Sequence, residues 1–339
     1  MSKKVLVGMS GGVDSTVTSL LLKNEGYEVV GLYMKLHNAV GYHEIHMERA
    51  KKAAKFVGIE LHILDLQKEF NENVFNPFVE DYKNGITPNP CARCNKTMKF
   101  GEMIKFADKI GADFLATGHY LQHDGKYLIQ AKDDTKDQSY FLFDIDKNII
   151  PRLIFPLGNR LKSDIKNYAN SIKGLESFAT QSESSEICFV PDSYTDILKE
   201  YVDVDRVGNV LDAKGNVVGE HKGYMHYTIG KRRGFSVKGA HEPHFVLETR
   251  PESNEIVVGK RDELECRSVE LKDLNMFDDR TLFNTTVKLR YRTKAVKCNV
   301  EIKNNTAIVT LEESVFGVAS GQAAVFYDDA KLIGGGWIV

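Results

Sequence analysis

The first 120 residues alternate short apolar runs, rich in β-branched residues, with segments of helical periodicity. The predicted strands are KVLVGM (4–9), EVVGLYM (28–34), ELHILDL (60–66) and DFLATGH (113–119). The predicted helices are DSTVTSLLLKNEG (14–26), HMERAKKAAKFVG (46–58) and KFGEMIKFADKIG (99–111). Each helical pattern ends in glycine, which commonly follows the last residue of a helix. Strands that alternate with helices pair in parallel, so this part of the chain is predicted to form an α/β domain with a doubly wound parallel sheet.

The pattern changes after about residue 207. GNVLDAKGNVVGEHKG (208–223) contains short strand-like pieces with turn residues between them. From about residue 267 the chain shows strand patterns alone, and several short antiparallel strands protect their edges by closing into a barrel. We therefore predict three domains: an α/β catalytic domain over residues 1–195, a small mixed or β central domain over 196–264, and an antiparallel β-barrel over 265–339.

The overall charge excludes a chain that binds nucleic acid through its net charge. Forty-five Lys and Arg stand against forty-seven Asp and Glu, for a net charge of -2, so any nucleic-acid contact must be local. The sequence has no apolar run of eighteen residues and no signal-peptide pattern at its start, which predicts a cytoplasmic protein without a membrane partner. Its five cysteines, an odd number without framework spacing, favour thiol chemistry or metal ligation over disulfides.

A glycine-rich loop, GMSGGVDS (8–15), lies between the first predicted strand and the first predicted helix. Gly11 and Gly12 allow the backbone to approach a phosphate, and the hydroxyls of Ser10 and Ser15 add hydrogen-bond donors. The loop follows neither the G-x-x-x-x-G-K-[ST] pattern nor the dinucleotide G-x-G-x-x-G pattern. It is therefore predicted to bind phosphate in a different way from either of those two loops.

SGGVDS in this setting resembles the signature of the PP-loop ATP pyrophosphatases. Members of that group split ATP between the α and β phosphates and transfer AMP to an oxygen of their substrate. The resemblance implies adenylation chemistry, with ATP and Mg2+ as cofactors. Asp14 is a candidate Mg2+ ligand, and capping of the first helix explains its carboxylate equally well.

Longer strings narrow the resemblance to the tRNA-specific 2-thiouridylases, in order and at about the spacing found in that family. They are TPNPCARCNKTMKFG (87–101), LATGHY (115–120), KDQSYFL (136–142), SSEICFVPD (184–192), GEHKGYMHYTIGKRRGF (219–235), RYR (290–292) and ASGQAAVFY (319–327). This similarity spans nearly the whole chain. It implies ATP-dependent conversion of uridine 34 in tRNA to 2-thiouridine, with release of AMP and pyrophosphate.

The resemblance also assigns roles to residues. It implies ATP contacts at Gly8, Met9, Ser10, Gly11, Gly12, Val13, Asp14, Ser15, Met34 and Gly118. It places Asn89, Pro90 and Cys91 around the flipped uridine, and other tRNA contacts at His119, Lys136, Asp137, Gln138, Arg290, Tyr291 and Gln322. The nucleophilic cysteine matches Cys94, and the cysteine that carries a persulfide matches Cys188.

The residues agree with what such chemistry requires. The C2 carbonyl of uridine is a poor electrophile, and converting its oxygen to an adenylate supplies AMP as a leaving group. A thiol attacks as its thiolate, and the cations Arg93, Lys96 and Lys99 are close enough in sequence to activate Cys94. A persulfide on Cys188 can release its outer sulfur when a second thiol takes the inner sulfur as a disulfide.

Cys91 has no place in a scheme with two cysteines, and many members of the family have aspartate at this position. In one interpretation Cys91 lines the uridine pocket, and sulfur is delivered as a persulfide. In the other, Cys91, Cys94 and Cys188 ligate a [4Fe-4S] cluster whose fourth iron binds the donated sulfide. Both remain open at the level of sequence. Structural zinc fits less well because it requires a fourth ligand.

Two basic stretches provide local charge for RNA. HKGYMHYTIGKRRGFSVKGA (221–240) has five Lys and Arg, no acid and interleaved aromatic residues, and TVKLRYRTKAVKCNVEIK (286–303) also has a local charge of +5. The predicted partners are tRNA, with the Lys, Glu and Gln acceptors implied by the resemblance, and a protein that donates sulfur. A target base within the anticodon must leave its stack to reach an active site, so base flipping is expected.

Two other classes of function were compared with this one. An amide-forming PP-loop ligase would need an ammonia source and would leave Cys94 and Cys188 without a role. An RNA-binding protein with a relic ATP loop would not release AMP. Hydrolysis of ATP to AMP and pyrophosphate that depends on tRNA distinguishes an enzyme from a binding protein.

Overall fold

The computed structural model describes residues 2–39, 41–179, 187–190, 193–239 and 241–339. The chain divides into two compact units. Unit 1 comprises residues 1–74, 91–185 and 329–333, and unit 2 comprises residues 75–90, 186–328 and 334–339. Among the described helices, none combines the length and the hydropathy that a bilayer crossing requires.

The bounds of the described elements follow the chain order. The strands are β1 Lys4–Gly8, β2 Glu28–Lys35, β3 Glu60–Asp65, β4 Phe114–Ala116, β5 Gln122–His123, β6 Leu128–Ile129, β7 Leu153–Ile154, β8 Gly208–Leu211, β9 Val217–His221, β10 Phe245–Arg250, β11 Glu255–Gly259, β12 Glu265–Met276, β13 Leu282–Lys288, β14 Val296–Lys303, β15 Thr306–Phe316, β16 Ala323–Asp328 and β17 Lys331–Ile338. The α-helices are α1 Val13–Asn24, α2 Tyr42–Val57, α3 Gln67–Phe70, α4 Asn76–Lys83, α5 Pro90–Cys94, α6 Met103–Lys109, α7 Lys162–Ser171, α8 Glu176–Ala179 and α9 Tyr194–Leu198. Two π-helices cover Asn71–Phe75 and Asn95–Glu102, and 3-10 turns cover Ser139–Leu142, Lys147–Arg152, Tyr224–His226 and Asp262–Leu264.

Unit 1 contains the predicted parallel sheet, with strand order β3-β2-β1-β4-β7. Strand β1 pairs in parallel with β2 on one side and with β4 on the other, and Val7 lies opposite Ala116. The side chains of Val5, Leu6 and Val7 are fully buried, as expected for a central strand covered on both faces. The parallel α/β fold predicted from the alternating pattern is confirmed.

The region around Cys91 and Cys94 differs from the prediction. Cys91 and Cys94 lie outside the predicted helices, but the structure places them on α5, which begins at Pro90. Proline is favoured at the first position of a helix, where its missing N–H has no partner to lose. The helix then continues as a π-helix over Asn95–Glu102 before α6, so the single helix expected over 99–111 is built from two different helical geometries.

The C-terminal strands of unit 2 close into an antiparallel barrel. The strand order is β12-β15-β14-β13-β16-β17, and pairing between β12 and β17 closes the ring. The first residues of β17 belong to unit 1, where Lys331 and Leu332 pair with β6. Closure leaves no free edge, which is the physical reason for predicting a barrel. The strand-like run at 286–302 is interrupted, because residues 289–295 turn between β13 and β14.

A smaller sheet, in the order β10-β11-β8-β9, precedes the barrel in unit 2. Strands β8 and β9 form the hairpin predicted from its turn residues, in which Asp212 accepts hydrogen bonds from the N–H groups of Lys214 and Asn216 at 2.9 Å. Buried Val210, Val246 and Ile256 form the core of this sheet.

Candidate active site

The glycine-rich loop (residues 8–15) connects the end of β1 to the start of α1, as the sequence predicts. Ser15 Oγ donates a hydrogen bond to the Gly12 carbonyl at 3.1 Å, and the Gly12 N–H donates to Ser10 Oγ at 3.4 Å. The first N–H groups of a helix have no partner within the helix and carry a partial positive charge. This loop therefore presents an anion-binding site at the N-terminus of a 12-residue helix.

The two adjacent glycines of the loop have different surroundings. Gly11 has a φ of +81°, and a Cβ placed on it would lie 2.7 Å from both the Ala50 backbone nitrogen and Arg49 Cβ on α2. Gly12 has a φ of -87°, and only Ser10 Oγ lies within 4 Å of its Cβ position, at 3.5 Å. Gly11 is thus required for packing, whereas Gly12 leaves space open at the N-terminus of α1.

Asp14 is held by two partners from distant parts of unit 1. Lys162 Nζ donates to the two carboxylate oxygens of Asp14 at 2.7 and 2.6 Å, and the Tyr120 hydroxyl donates to Oδ1 at 2.9 Å. The N-cap of α1 is Gly12, without a capping side chain. Helix capping by Asp14, one of the two roles expected from the sequence, is therefore wrong.

The same ion pair bears on the second expected role of Asp14, as a ligand of Mg2+. Both carboxylate oxygens already accept hydrogen bonds from the Lys162 ammonium, a cation whose side chain is 11% exposed. A second cation at this carboxylate would be repelled by that ammonium. The residues present do not fit an Mg2+ site at Asp14, and no step below depends on one.

The segment after β4 lies against the glycine-rich loop. A Cβ on Gly118 would lie 3.1 Å from atoms of Asp14 and from the Ser15 nitrogen, and a Cβ on Gly8 would lie 3.8 Å from Thr117 Cγ2. Parallel pairing of β1 and β4 brings their carboxyl ends to the same edge of the sheet, where open α/β sheets bind ligands. Gly118, predicted to contact ATP, is thus adjacent to the predicted phosphate site.

His119 connects this segment to the π-helix. Its Nδ1 lies 2.8 Å from Thr117 Oγ1, and its Nε2 lies 3.3 Å from Lys99 Nζ. Burial, together with the charge of Lys99, holds the pKa of the His119 imidazole well below its usual value, so the ring is neutral. A lysine ammonium only donates, so Nε2 accepts from Lys99 and Nδ1–H donates to Thr117.

We expect the free energy of unfolding to fall as the pH is lowered from 7 to 5. Burial, with the nearby charge of His43, lowers the pKa of His37 to about 4, and the pKa of His119 is also lowered. Unfolded histidine binds a proton near pH 6.5, so below that pH the unfolded state binds more protons than the folded state. Stability should then fall by about 1.4 kcal/mol per pH unit for each such histidine.

Urea unfolding at pH 7, 6 and 5 measures this dependence. Replacing His119 with Gln removes one of the titrating groups, so the variant should show a shallower loss of stability between pH 6.5 and 5. A wild-type protein with equal stability at pH 7 and pH 5 would contradict the expectation.

The two cysteines of α5 lie three residues apart on the helix and therefore share a face. Cys94 is 6% exposed and Cys91 is half-buried. The following lysine, Lys96, pairs with Asp144 at 3.0 Å, so its charge is compensated by a carboxylate. Of the two lysines expected to activate Cys94, only Lys99 contacts a neutral partner.

The cluster interpretation requires three cysteine ligands in one place. Cys91 and Cys94 belong to unit 1 and Cys188 belongs to unit 2. Within the ranges that the structure describes, no three side chains of His, Cys, Asp or Glu converge as a metal site would require. No step below uses a [4Fe-4S] cluster.

Several predicted tRNA contacts have structural partners of their own. Asp137 is buried and accepts from the Ala131 N–H at 3.0 Å and from Ser139 Oγ at 2.9 Å. Gln138 Oε1 accepts from the Tyr120 N–H at 2.9 Å. Lys136, beside them, is half-buried. Gln138 thus stabilises the segment after β4 through Tyr120, and Asp137 stabilises the loop in which both residues lie.

In unit 2, Gln322 supports the segment that precedes the cysteines. Gln322 Nε2 donates to the carbonyls of Thr87 and Pro88 at 3.0 Å, and the Thr87 N–H donates to the Ser320 carbonyl at 3.0 Å. Asn89, at the end of this segment, is buried. The NP sequence before Cys91 is therefore fixed by a loop of the barrel.

The remaining predicted site residues, Arg290, Tyr291 and Cys188, lie in unit 2. Arg290 Nη2 donates to the Ile229 carbonyl at 3.1 Å, which connects the two basic stretches, and Tyr291 is half-buried beside it. Cys188 is exposed. Residues 184–186 and 191–192 of the SSEICFVPD string lie outside the described residues.

Comparison with known proteins covers the whole chain. Family models match residues 3–192 ("tRNA methyl transferase HUP domain"), 195–260 ("tRNA methyl transferase PRC-barrel domain") and 266–338 ("Aminomethyltransferase beta-barrel domain"). The tRNA-specific 2-thiouridylase of Sulfurimonas denitrificans is 68% identical over 338 residues, 100% of this chain and 99% of that protein. The corresponding enzyme of Nitratiruptor sp. is 55% identical over 339 residues, 100% of both chains. The chain belongs to the tRNA-specific 2-thiouridylase family.

The solved structures that match are more distant. A 4-thiouridine synthetase in complex with RNA and ATP is 18% identical, with a TM-score of 0.36, and covers 58% of this chain and 49% of that one. This overlap is too weak to carry an argument. The assignment to the 2-thiouridylase family rests on the sequence relatives and the family models.

Some residues of this 2-thiouridylase site gave no signal in the sequence. Lys162 is 148 residues from Asp14, its partner, and it lies in a stretch, GNRLKSD, without a recognisable motif. Thr117 and Asp144 were likewise missed, since neither residue type indicates chemistry on its own. All three are buried polar side chains, a property that only the fold reveals.

Proposed function

We propose that this protein adenylates the C2 oxygen of uridine 34 in tRNA and replaces that oxygen with sulfur to give 2-thiouridine. The observation that carries the proposal is the junction in unit 1 between the glycine-rich loop, the Gly118–His119 segment and the helix of Cys94. This junction brings an anion site for ATP next to the elements that hold the nucleophile. Membership of the 2-thiouridylase family supports the same reaction.

The first step consumes ATP. The uridine C2 oxygen attacks the α-phosphorus, the bond from that phosphorus to the bridging oxygen of the β-phosphate breaks, and pyrophosphate leaves with the electron pair. The N3 proton of uridine is released to solvent. The N-terminus of α1 and the loop N–H groups bind the phosphates, and Mg2+ enters as the complex with ATP.

The second step replaces the adenylate. A sulfur-donor protein first loads Cys188, whose exposed position suits contact with another protein. The outer sulfur of the Cys188 persulfide attacks C2, and AMP leaves with the electrons of the C2–oxygen bond. Cys94 thiolate then attacks the inner sulfur, the S–S bond breaks toward the base, and 2-thiouridine is released. The product is a Cys94–Cys188 disulfide, which a dithiol reductant must reduce before the next cycle.

Uridine 34 must leave its stack to enter this site. The buried Asn89 and the half-buried Cys91 are proposed to line its pocket, since they directly precede Cys94. The basic stretches 221–240 and 286–303 are proposed to bind tRNA phosphates. The Lys, Glu and Gln acceptors are the proposed substrates.

Thiolation is tested with unmodified tRNA, ATP, Mg2+, a protein that donates persulfide sulfur and a dithiol reductant, followed by electrophoresis in a mercury-containing gel that retards thiolated tRNA. We expect retardation together with pyrophosphate release that requires tRNA. A protein that binds tRNA without releasing AMP and pyrophosphate would be a binding protein. Methyl transfer, which the family-model descriptions name, uses no ATP cleavage, so it would also fail this assay.

We expect Cys91→Ser to thiolate tRNA within about threefold of the wild-type rate, because the persulfide route uses two cysteines and serine preserves the size of the pocket. The measurement is the same gel assay, with both proteins purified without oxygen. Loss of thiolation in Cys91→Ser, together with iron and labile sulfide in the wild type, would instead establish the cluster route.

A further inference from the structure

Lys99 is a half-buried ammonium whose partner carries no charge. Its Nζ lies 3.3 Å from the Nε2 of neutral His119. In the part of the chain that the structure describes, no carboxylate lies within ion-pair distance of Lys99. The other two lysines at this site differ, because Lys96 pairs with Asp144 and Lys162 pairs with Asp14. A partly buried cation without a carboxylate partner is suited to bind an anionic ligand.

His119 fixes the direction of the Lys99 side chain. The imidazole is 8% exposed, its ring centre lies 5.8 Å from that of Phe100, and its second nitrogen is used by Thr117. The ring therefore cannot turn away without losing a buried hydrogen bond. The Lys99 ammonium is thus positioned by His119, whose ring is fixed by its hydrogen bond to Thr117 and its contact with Phe100.

Lys99 also lies between the phosphate site and the nucleophile. Gly118, which directly precedes His119, packs against Asp14 and Ser15 at the start of α1. Lys99 follows Cys94 by five residues through the π-helix. In a π-helix residues i and i+5 are joined by a hydrogen bond, so they lie about one turn apart. A group near Lys99 is thus near both the loop that binds ATP and the helix that carries Cys94.

We propose that Lys99 is a catalytic residue that binds the non-bridging oxygens of the α-phosphoryl group, and that His119 is the residue that positions it. This inference rests on the proposed adenylation. The α-phosphoryl group is the one part of ATP that must reach both the glycine-rich loop and the uridine, because it is bonded first to pyrophosphate and then to the uridine C2 oxygen. Lys99 stabilises the charge on the oxygens as the bond to pyrophosphate breaks.

The test is the steady-state rate of tRNA-dependent pyrophosphate release as a function of ATP concentration. Removing one donor to a developing negative charge lowers kcat by ~100-fold or more. We expect Lys99→Gln to lower kcat by about that factor, with the KM for ATP within about threefold of wild type. Lys99→Arg should recover part of the rate. The matched control is Lys105→Gln, which removes an exposed charge from the next helix and should leave the rate unchanged.

Two variants of His119 test the positioning role. Gln places an acceptor oxygen near the position of Nε2, so His119→Gln should retain more activity than His119→Leu, which offers Lys99 no acceptor. Thermal unfolding of each variant shows whether the chain folds, and only folded variants enter the comparison. If His119→Leu does not fold, the kcat of Lys99→Arg relative to Lys99→Gln tests the proposal by itself.

Three results would overturn the role of Lys99. A folded Lys99→Gln with wild-type kcat for pyrophosphate release excludes it. Normal pyrophosphate release with loss of thiolation would assign Lys99 to the Cys94 thiol instead. A large increase in the KM for ATP at unchanged kcat would assign it to ground-state binding. Failure of the proposed function is distinct, since wild type itself would then release no pyrophosphate with tRNA.

Discussion

Cys94→Ser should lower tRNA thiolation by at least about 1,000-fold while tRNA-dependent release of pyrophosphate continues. In the proposed reaction, adenylation uses the phosphate loop and the uridine oxygen and needs no thiol. The later step does, because a serine hydroxyl remains protonated at neutral pH and does not attack the inner sulfur of a persulfide. Cys188→Ser should show the same separation, since it removes the carrier of the sulfur.

The Cys94 variant also allows a direct observation of the intermediate. If the outer sulfur of Cys188 attacks C2 and no second thiol follows, the tRNA remains joined to the protein through an S–S bond. A non-reducing gel should then show one equivalent of a protein–tRNA adduct that dithiothreitol releases. Cys266→Ser is the matched control, because this thiol donates to the Ser268 carbonyl within the barrel and serine can do the same.

Two outcomes would contradict this assignment. Unchanged thiolation by Cys94→Ser would place the nucleophile elsewhere. Loss of pyrophosphate release as well would mean that Cys94 contributes to the fold or to ATP binding rather than to sulfur transfer. Circular dichroism of the variant then shows whether Cys94 contributes to the fold or to ATP binding.

Gly11→Ala should lower the free energy of unfolding by about 2–5 kcal/mol and remove ATP-dependent activity. A left-handed backbone costs a residue with a Cβ ~1–2 kcal/mol, and forcing an extra carbon into a packed site costs ~1–3 kcal/mol. Here the added methyl group would lie 2.7 Å from both the Ala50 backbone nitrogen and Arg49 Cβ. Because α2 would have to move, the loop would no longer be held in its phosphate-binding shape.

Gly12→Ala is the matched control for this substitution. Its φ is negative and its Cβ position is open, so we expect stability within about 1 kcal/mol of wild type. The added methyl group would nevertheless stand where the backbone approaches phosphate, so the KM for ATP should rise. Urea unfolding and pyrophosphate release measured on both variants separate packing from ligand contact. Equal stability of Gly11→Ala and wild type would contradict the packing role.

The sequence predicts most of the fold because the fold depends on local periodicity. The parallel sheet of unit 1 follows from alternating strand and helix patterns, and the barrel follows from consecutive strand patterns that need closed edges. The start of α5 at Pro90 was missed, since NP followed by CARC is as compatible with a loop as with the first turn of a helix. The π-helix has no distinguishing propensity, so Lys99 could not be placed relative to Cys94.

The site is less predictable because its contacts join distant parts of the chain. Motif spacing identifies the glycine-rich loop and the pair Cys91 and Cys94. The partner of Asp14 is 148 residues away, and its pairing with an ammonium depends on how α7 packs against α1. Whether His119 is charged depends on burial, which the tripeptide TGH does not reveal.

The hydrogen bonds of Gln322 to Thr87 and Pro88 limit how this protein can be divided. The barrel loop that contains Ser320 and Gln322 holds the backbone that leads directly into α5. Deletion of the barrel would therefore remove the hydrogen bonds that hold Thr87 and Pro88, immediately before α5. A gene encoding only the α/β part should yield a polypeptide that retains the nucleotide loop yet holds its cysteines loosely. The barrel is therefore part of the support of the segment before α5, and a replacement barrel would have to supply the same hydrogen bonds to Thr87 and Pro88.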